Sequence, residues 1–460
     1  MWPTGEPEPC PRGALVGEQG VESAQGHDRK NTHYKTLRLF RSGPNLIDPS
    51  VFTMNLSLPW SREVPMIMKW HTAGKAKMTD DLRLNRALLP AGFGDLLPPD
   101  AAIEAQLIEA MMHVFNLHGY ERVKPPLLEF EASLLSGAGA AVAEQTFRLM
   151  DPESQRMMAL RADTTPQIAR IATTRLADAP RPLRLAYAGQ CLLARGGQVA
   201  PERQITQAGI ELIGVDAAEA DAETIMVAAE ALESAGVSKI SVDLTMPPLV
   251  PALLTEANFD PLTRTELSHA LDRKDAASVQ ELAGNSANLL CAMLEAAGPA
   301  AAALEALERV ALPSLVQPMV QRLKTIVARL NAVLPTLRLT VDPVEFRGYL
   351  YHTGVAVTIF APGRQTELGR GGRYRCDGSE DATGITLYPD RIRAAAPRQL
   401  AHRRLYLPPG TPAPAAKTAR QQGFATVVGF SDPTNVCAEA MRLGCTHVWR
   451  NGAAIAIEEC

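Results

Sequence analysis

The sequence predicts an α+β fold: a sheet flanked by helices, with a helical insertion and a small C-terminal α/β unit. Three observations predict it. Short apolar runs bounded by turn residues recur between 147 and 360, the mark of strands. From Pro248 to about Pro335 the chain is Ala- and Leu-rich with helical spacing. The last sixty residues alternate short strand-like and helical runs. The expected division is a low-complexity extension over 1–77, a core over 78–400 with the insertion at about 248–336, and the small unit over 401–460.

At 460 residues the chain has room for two or three domains. Its net charge of −4 argues against a broad electrostatic footprint on nucleic acid. No two of its seven cysteines have C-x-x-C spacing, so no zinc site or redox motif is expected. Scattered thiols suit a reducing cytoplasm. No run of eighteen apolar residues and no signal-peptide pattern occurs, so a cytoplasmic protein without membrane contact is expected.

Residues 1–77 are rich in Pro, Gly, Glu and Ser at first and then apolar without a period, which predicts disorder. An over-long gene start, with Met78 as the true one, is the favoured explanation for them, and a functional tail is the alternative. Asp100 reads as the cap of a helix with Ile103, Leu107, Met111 and Val114 on one face, ended by Gly119. Pro125-Pro126 then favours an extended path at a sheet edge. Phe147–Met150 and Met157–Arg161 read as strands about the turn Asp151-Pro-Glu-Ser. Arg161-Ala-Asp-Thr-Thr-Pro166 opens a helix whose unpaired N–H groups can hold a polar ligand. Leu183–Tyr187 and Gln207–Gly214 are strands. Gln207 and Glu211, four apart, face the same side, with Gly209 keeping the space between them open. Residues 221–236 form an amphipathic helix and 237–244 a strand. Asp272-Arg-Lys-Asp275 reads as a solvated helix surface.

Between the strand-like runs at 337–341 and 355–360 lies Arg347-Gly-Tyr-Leu-Tyr-His-Thr-Gly354. The arginine offers a planar fork for a carboxylate and the rings can wall a pocket. An ordinary hairpin with an exposed arginine is the plain alternative. Glu367-Leu-Gly-Arg-Gly-Gly-Arg-Tyr374 reads as a tight, glycine-rich strand connection.

These segments resemble, in order, those of histidyl-tRNA synthetases, a class II family. Leu160-Arg-Ala-Asp-Thr-Thr165, the pair Gln207 and Glu211, the 347–352 stretch and Gly371-Gly-Arg-Tyr374 carry the resemblance, and the 100–129 region resembles class II motif 1. It implies a class II aminoacyl-tRNA synthetase-like antiparallel sheet. It also implies a histidine pocket: Asp163, Thr165 and Gln207 at the α-amino group, Arg347 at the carboxylate, Glu211 at the imidazole N–H, and Tyr351 and His352 as lining. Arg161 and Arg203 are further pocket candidates. The positions that serve ATP are changed. Leu193 stands at the motif 2 arginine, and Arg195 is about 7 Å further along a strand. Tyr388-Pro-Asp-Arg391 replaces a Gly-Leu-Glu-Arg, and its proline disfavours a continuing helix. Leu350 replaces the signature aspartate.

A histidine pocket kept while the ATP positions change resembles the regulatory subunit of ATP phosphoribosyltransferase, a catalytically silent relative of the synthetases. That resemblance implies no catalytic residues, no cofactor and no metal. It implies assembly with the short-form catalytic subunit as a hetero-octamer, self-association through the class II dimer interface, and L-histidine as effector. tRNA is not expected as a partner. An active histidyl-tRNA synthetase, and a histidine-binding relative serving another pathway, are the alternatives.

Overall fold

The computed structural model describes residues 88–197, 200–345, 351–363, 366–376, 380–396 and 403–459. The 1–77 extension therefore lies outside the described residues.

The large sheet has nine strands: β1 (Glu121–Arg122), β2 (Leu183–Leu192), β3 (Gln204–Ile213), β4 (Ser241–Thr245), β5 (Gly298–Pro299), β6 (Arg338–Asp342), β7 (Ala356–Phe360), β8 (Gly369–Cys376) and β9 (Glu380–Leu387). Their order is β1-β2-β3-β9-β8-β7-β4-β6-β5. The six strands from β2 to β4 pair antiparallel throughout. The β1–β2 and β4–β6 pairs are parallel, so the sheet is mixed towards its edges. β1 is the edge strand just before the double proline, where a missing donor costs no ladder bond.

The register divides the sheet into two chemically distinct faces. Cross-strand partners share a face, so Gln207 and Glu211 lie with Thr386 and Gly384, then Arg370, Gly372 and Tyr374, then Thr358, then Asp243 and Thr245. The opposite face carries Ile210, Leu212, Val242, Leu244, Val357, Ile359, Ile385 and Leu387, all buried. Against it pack α1 (Asp100–Leu117), α3 (Ala218–Ser234) and α4 (Gln317–Val333), which share its core. α2 (Thr165–Thr174) lies on the polar face, where Ile168, Ala169 and Ala172 pack with Tyr187 and Tyr374.

Several expectations shift in detail. Asp100 does not cap α1; it is the first helical residue and pairs with Arg393 at 3.1 Å. Lys274 and Asp275 are not a helix surface: Lys274 adopts φ +57° in a turn and bonds Asp342, and Asp275 caps the helix Ala276–Leu282. Residues 369–376 form a full strand rather than a connection. Its glycines are required by close strand contact, since a Cβ at Gly371 would stand 2.0 Å from the Gly384 carbonyl oxygen. Pro389 does not block a helix but begins one, α5 (Pro389–Ala395), at the first turn where its missing N–H is no loss.

Over 248–336 the chain forms helices Leu249–Glu256, Pro261–Asp272, Ala276–Leu282, Ala287–Glu295, Ala300–Arg309 and α4, with β5 among them. Strands Leu128–Phe130, Met157–Leu160 and Arg148–Met150 make a separate small sheet. Residues 404–456 form a four-stranded sheet with two helices. No helix among the described residues is long and apolar enough to cross a membrane.

Candidate functional site

The site is built where the N-terminus of α2 meets the polar face of β3, β9 and β8. Gln207 accepts the Thr164 backbone N–H at 3.0 Å and donates to Asp163 at 3.2 Å. Asp163 also accepts the Thr165 N–H at 3.4 Å. The helix-start donors expected to face a ligand are thus taken by two side chains of the site. A buried N–H must be paired, and these side chains reach it first.

Glu211 is 1% exposed and accepts from the Thr165 hydroxyl at 2.9 Å and the Tyr374 hydroxyl at 2.9 Å. Burial raises its pKa to about 8, against the lowering pull of those two bonds. A Cβ at Gly384 would stand 1.9 Å from its carboxylate. Gly384→Ala is therefore expected to push Glu211 out of this arrangement and to weaken a ligand held by it more than tenfold, read by calorimetric titration. Unchanged affinity would show that Glu211's position does not matter. Gly209 does not leave open space as expected from the sequence. Tyr187 reaches over it, so that a Cβ there would stand 2.5 Å from the Tyr187 hydroxyl, which bonds Thr386 at 2.6 Å.

Asp163, Gln207, Tyr351, His352, Arg370 and Tyr388, with Gly371 and Thr386, line a cavity of about 10 Å³. That is room for roughly one water. Tyr351 stands edge-on to Tyr374 at 6.1 Å and against His352 at 4.8 Å. Its pKa is driven far up by burial first and then by the charges of Asp163 and Glu211. Burial pushes His352 down to about 4, so its ring is neutral at physiological pH. Beyond His352 and Arg370 the polar face continues into an open cleft of about 250 Å³ over β7 and β4, lined by Asp243, Thr245 and Glu345.

Six of the nine residues singled out from the sequence therefore cluster here: Asp163, Thr165, Gln207, Glu211, Tyr351 and His352. Arg347 lies outside the described residues. Arg161 and Arg203 do not line the cavity. Arg161 donates to the carbonyls of Gln190 (2.7 Å) and Pro125 (3.3 Å) and lies across Gly189. Arg203 donates to the carbonyls of Leu193 (3.1 Å) and Ala91 (3.2 Å) and stacks between Phe93 and Phe147. Sequence reasoning missed Arg370 and Tyr388 as cavity walls. The two-residue period of β8, which sets Arg370 on the same face as Tyr374, could have found the first.

Of the positions that serve ATP in the synthetases, Leu350 lies outside the described residues, and Leu193 and Arg391 are engaged by neighbouring side chains. Leu193 packs with Cys191, Ile205 and the buried Tyr388. Arg391 lies over the Tyr388 ring at 4.2 Å and pairs with Glu367 at 3.1 Å. Among the described residues no cluster of His, Cys, Asp and Glu has metal-site geometry.

Comparison with known proteins identifies the fold and the family. The histidyl-tRNA synthetase family profile matches residues 92–392. A Paramagnetospirillum magneticum protein named ATP phosphoribosyltransferase regulatory subunit is 53% identical over 363 residues, covering 79% of this chain and 96% of its own. One of the same name from Rhodospirillum centenum is 50% identical over 83% of this chain and all of its own. The crystal structure titled ATP phosphoribosyltransferase regulatory subunit/histidyl-tRNA synthetase from Bacillus halodurans superposes with a TM-score of 0.66 at 24% identity, covering 80% of this chain and 97% of that one. The histidyl-tRNA synthetase of Nostoc gives 0.65 at 17% identity, over 78% and 90%. The two structures share the class II sheet, and the two close relatives share half or more of the aligned residues. On this ground the chain belongs to the family of ATP phosphoribosyltransferase regulatory subunits, built on the histidyl-tRNA synthetase fold.

Proposed function

We propose that this chain is a non-catalytic, histidine-sensing subunit that assembles with a short-form ATP phosphoribosyltransferase catalytic subunit in the cytoplasm. One contrast carries the reading. Asp163, Gln207 and Glu211 form a buried, mutually supported set, whereas Leu193, at the place of the synthetases' phosphate-binding arginine, is a half-buried apolar side chain packed with Tyr388. Adenylation builds charge on a phosphate that must be met by fixed cations. An apolar side chain at that place cannot meet it.

Histidine is a zwitterion with a ring donor, so it calls for acceptors at the amine, a cation at the carboxylate and an acceptor at the ring. Asp163 and Gln207 answer the first and Glu211 the last. The cavity has room for roughly one water, so histidine enters it by widening it, and Tyr351 and His352 are the walls that this reading moves aside. That movement is the differential between two states through which a ligand can shift the assembly towards lower activity. The class II dimer interface joins copies of this chain, and with the catalytic subunit they form a hetero-octamer.

The deciding experiment measures phosphoribosyl transfer to ATP by the short catalytic subunit, with and without this chain, across a histidine titration. The expected result is activity that depends on this chain and falls with histidine. No effect at any ratio would overturn the reading and leave a histidine-binding relative serving another pathway. Histidine-dependent exchange of pyrophosphate into ATP would instead establish an active synthetase.

A further inference from the structure

We propose that Thr386 donates a hydrogen bond to the second ring nitrogen of the bound histidine, the one without a hydrogen, and thereby selects an imidazole over a ring that offers no acceptor. This rests on the histidine-sensing reading above and adds to it a residue outside the set drawn from the synthetase resemblance.

Strand register sets the polar face in rows. Gln207 and Glu211 mark two rows of β3, and between them lies Gly209, which has no side chain to fill its row. Thr386 of β9 stands beside Gly209 on one side and Tyr187 of β2 on the other. A ligand whose amine meets Asp163 and Gln207 and whose ring meets Glu211 crosses that middle row. Its outer ring nitrogen carries the hydrogen that Glu211 accepts. Its inner nitrogen, next to the carbon that joins the ring to the rest of the ligand, then falls one row back, where Thr386 lines the cavity. In a neutral imidazole one nitrogen donates and the other accepts, so the inner nitrogen calls for a donor.

The hydroxyls of this row supply one. Thr386 and Tyr187 are both buried and bond each other at 2.6 Å, and either can be the donor. Two hydroxyls bring two hydrogens to that one bond. With Tyr187 donating, the hydrogen of Thr386 is turned to the cavity. Other donors nearby are engaged: the hydroxyls of Thr165 and Tyr374 donate to Glu211, and the Gln207 amide donates to Asp163. Tyr187, which reaches over Gly209 to Thr386, orients the threonine hydroxyl from behind. A buried hydroxyl left without an acceptor costs free energy, and a site built around such a group rejects a ligand that cannot meet it.

The test is calorimetric titration of the full chain and its Thr386→Val and Thr386→Ser variants with L-histidine and with β-(pyrrol-3-yl)-L-alanine, which keeps the outer N–H and has carbon in place of the inner nitrogen. The expected result is that Thr386→Val weakens L-histidine about tenfold, the scale of one buried hydrogen bond, but changes the pyrrole ligand less than about threefold. Thr386→Ser keeps the hydroxyl and should retain most of the L-histidine affinity. Equal weakening of both ligands by Thr386→Val would assign Thr386 a merely packing role and overturn the proposal, as would a wild type that binds both ligands equally well. If Thr386→Val does not fold, Thr386→Ala is compared with Thr386→Ser by the same readings. If the pyrrole ligand binds the wild type too weakly to measure, the serine variant decides: affinity kept in serine and lost in valine supports the proposal, and equal loss in both overturns it. Absence of L-histidine binding by the wild type would sink the sensing reading and this proposal together, whereas intact L-histidine binding in Thr386→Val would sink this proposal alone.

Discussion

Glu211→Ala is expected to remove histidine feedback from the assembled enzyme, raising the histidine concentration for half-inhibition about 100-fold. Glu211 is the deepest acceptor of the site, and three donors depend on it: the hydroxyls of Thr165 and Tyr374 and, in the proposed complex, the imidazole N–H. A buried donor left unmet costs about 1–3 kcal/mol, and each 1.4 kcal/mol is tenfold in affinity. The readout is the inhibition curve of the reconstituted enzyme. A curve superposable on the wild type would place the histidine sensor elsewhere in the assembly.

Glu211→Gln separates charge from shape, and its sign can be worked out. The carboxyl has a model value of 4.5 and is raised by burial to about 8 in the folded chain. Between those values the unfolded chain ionises while the folded chain stays protonated. The stability associated with this group is therefore full below pH 4.5, falls as pH rises towards 8, and is level beyond. Glutamine resembles the protonated acid and does not titrate. The stability of Glu211→Gln relative to wild type should thus increase from pH 5 to pH 8, by a few kcal/mol at most, in urea denaturation. A difference independent of pH would mean that Glu211 is ionised throughout.

The second large effect is on the apolar side of the sheet. Arg373 on β8 is 3% exposed and Asp221 on α3 is 1% exposed, and they pair at 2.9 Å. Asp221 also accepts from Arg322 of α4 at 2.7 Å, so one carboxylate joins the sheet, α3 and the last helix of the insertion. Asp221→Ala is expected to destabilise the fold by about 3–5 kcal/mol, because it leaves a buried guanidinium without its counter-charge. Carbonyls of Val215 and Ala217 and the half-exposed Asp216 remain as partial partners, which keeps the loss from being larger. Asp221→Leu with Arg373→Met should recover much of it, since an apolar pair of similar volume carries no unpaired charge. Urea midpoints of the single and double variants provide the measurement. A double variant no better than Asp221→Ala would mean that packing of α3, rather than charge, is what was lost.

The sequence by itself determined the parts of this protein that are local or periodic. The helix of α1, the strands β2, β3 and β7, and the helical nature of the insertion follow from apolar spacing, and the four-apart step of Gln207 and Glu211 placed both on one face. It also singled out Asp163, Thr165, Gln207 and Glu211, which sit in segments that resemble the synthetases in the same order and which the structure brings together. What the local pattern could not hold was partner choice. Asp100 and Asp275 have the same capping chemistry, yet Asp100 is drawn to Arg393, 293 positions along the chain, while Asp275 does cap. Gly209 reads as open space until Tyr187 from the neighbouring strand fills it. Glu211's raised pKa, the packing of Tyr388 against Leu193, and the place of Arg370 in the cavity wall all arise from side chains brought together by strand register. Register is fixed by burying one whole sheet face against α1, α3 and α4, a long-range condition that no short stretch encodes. The tertiary structure alone decided which polar groups of the other face meet, and therefore what chemistry that face can do.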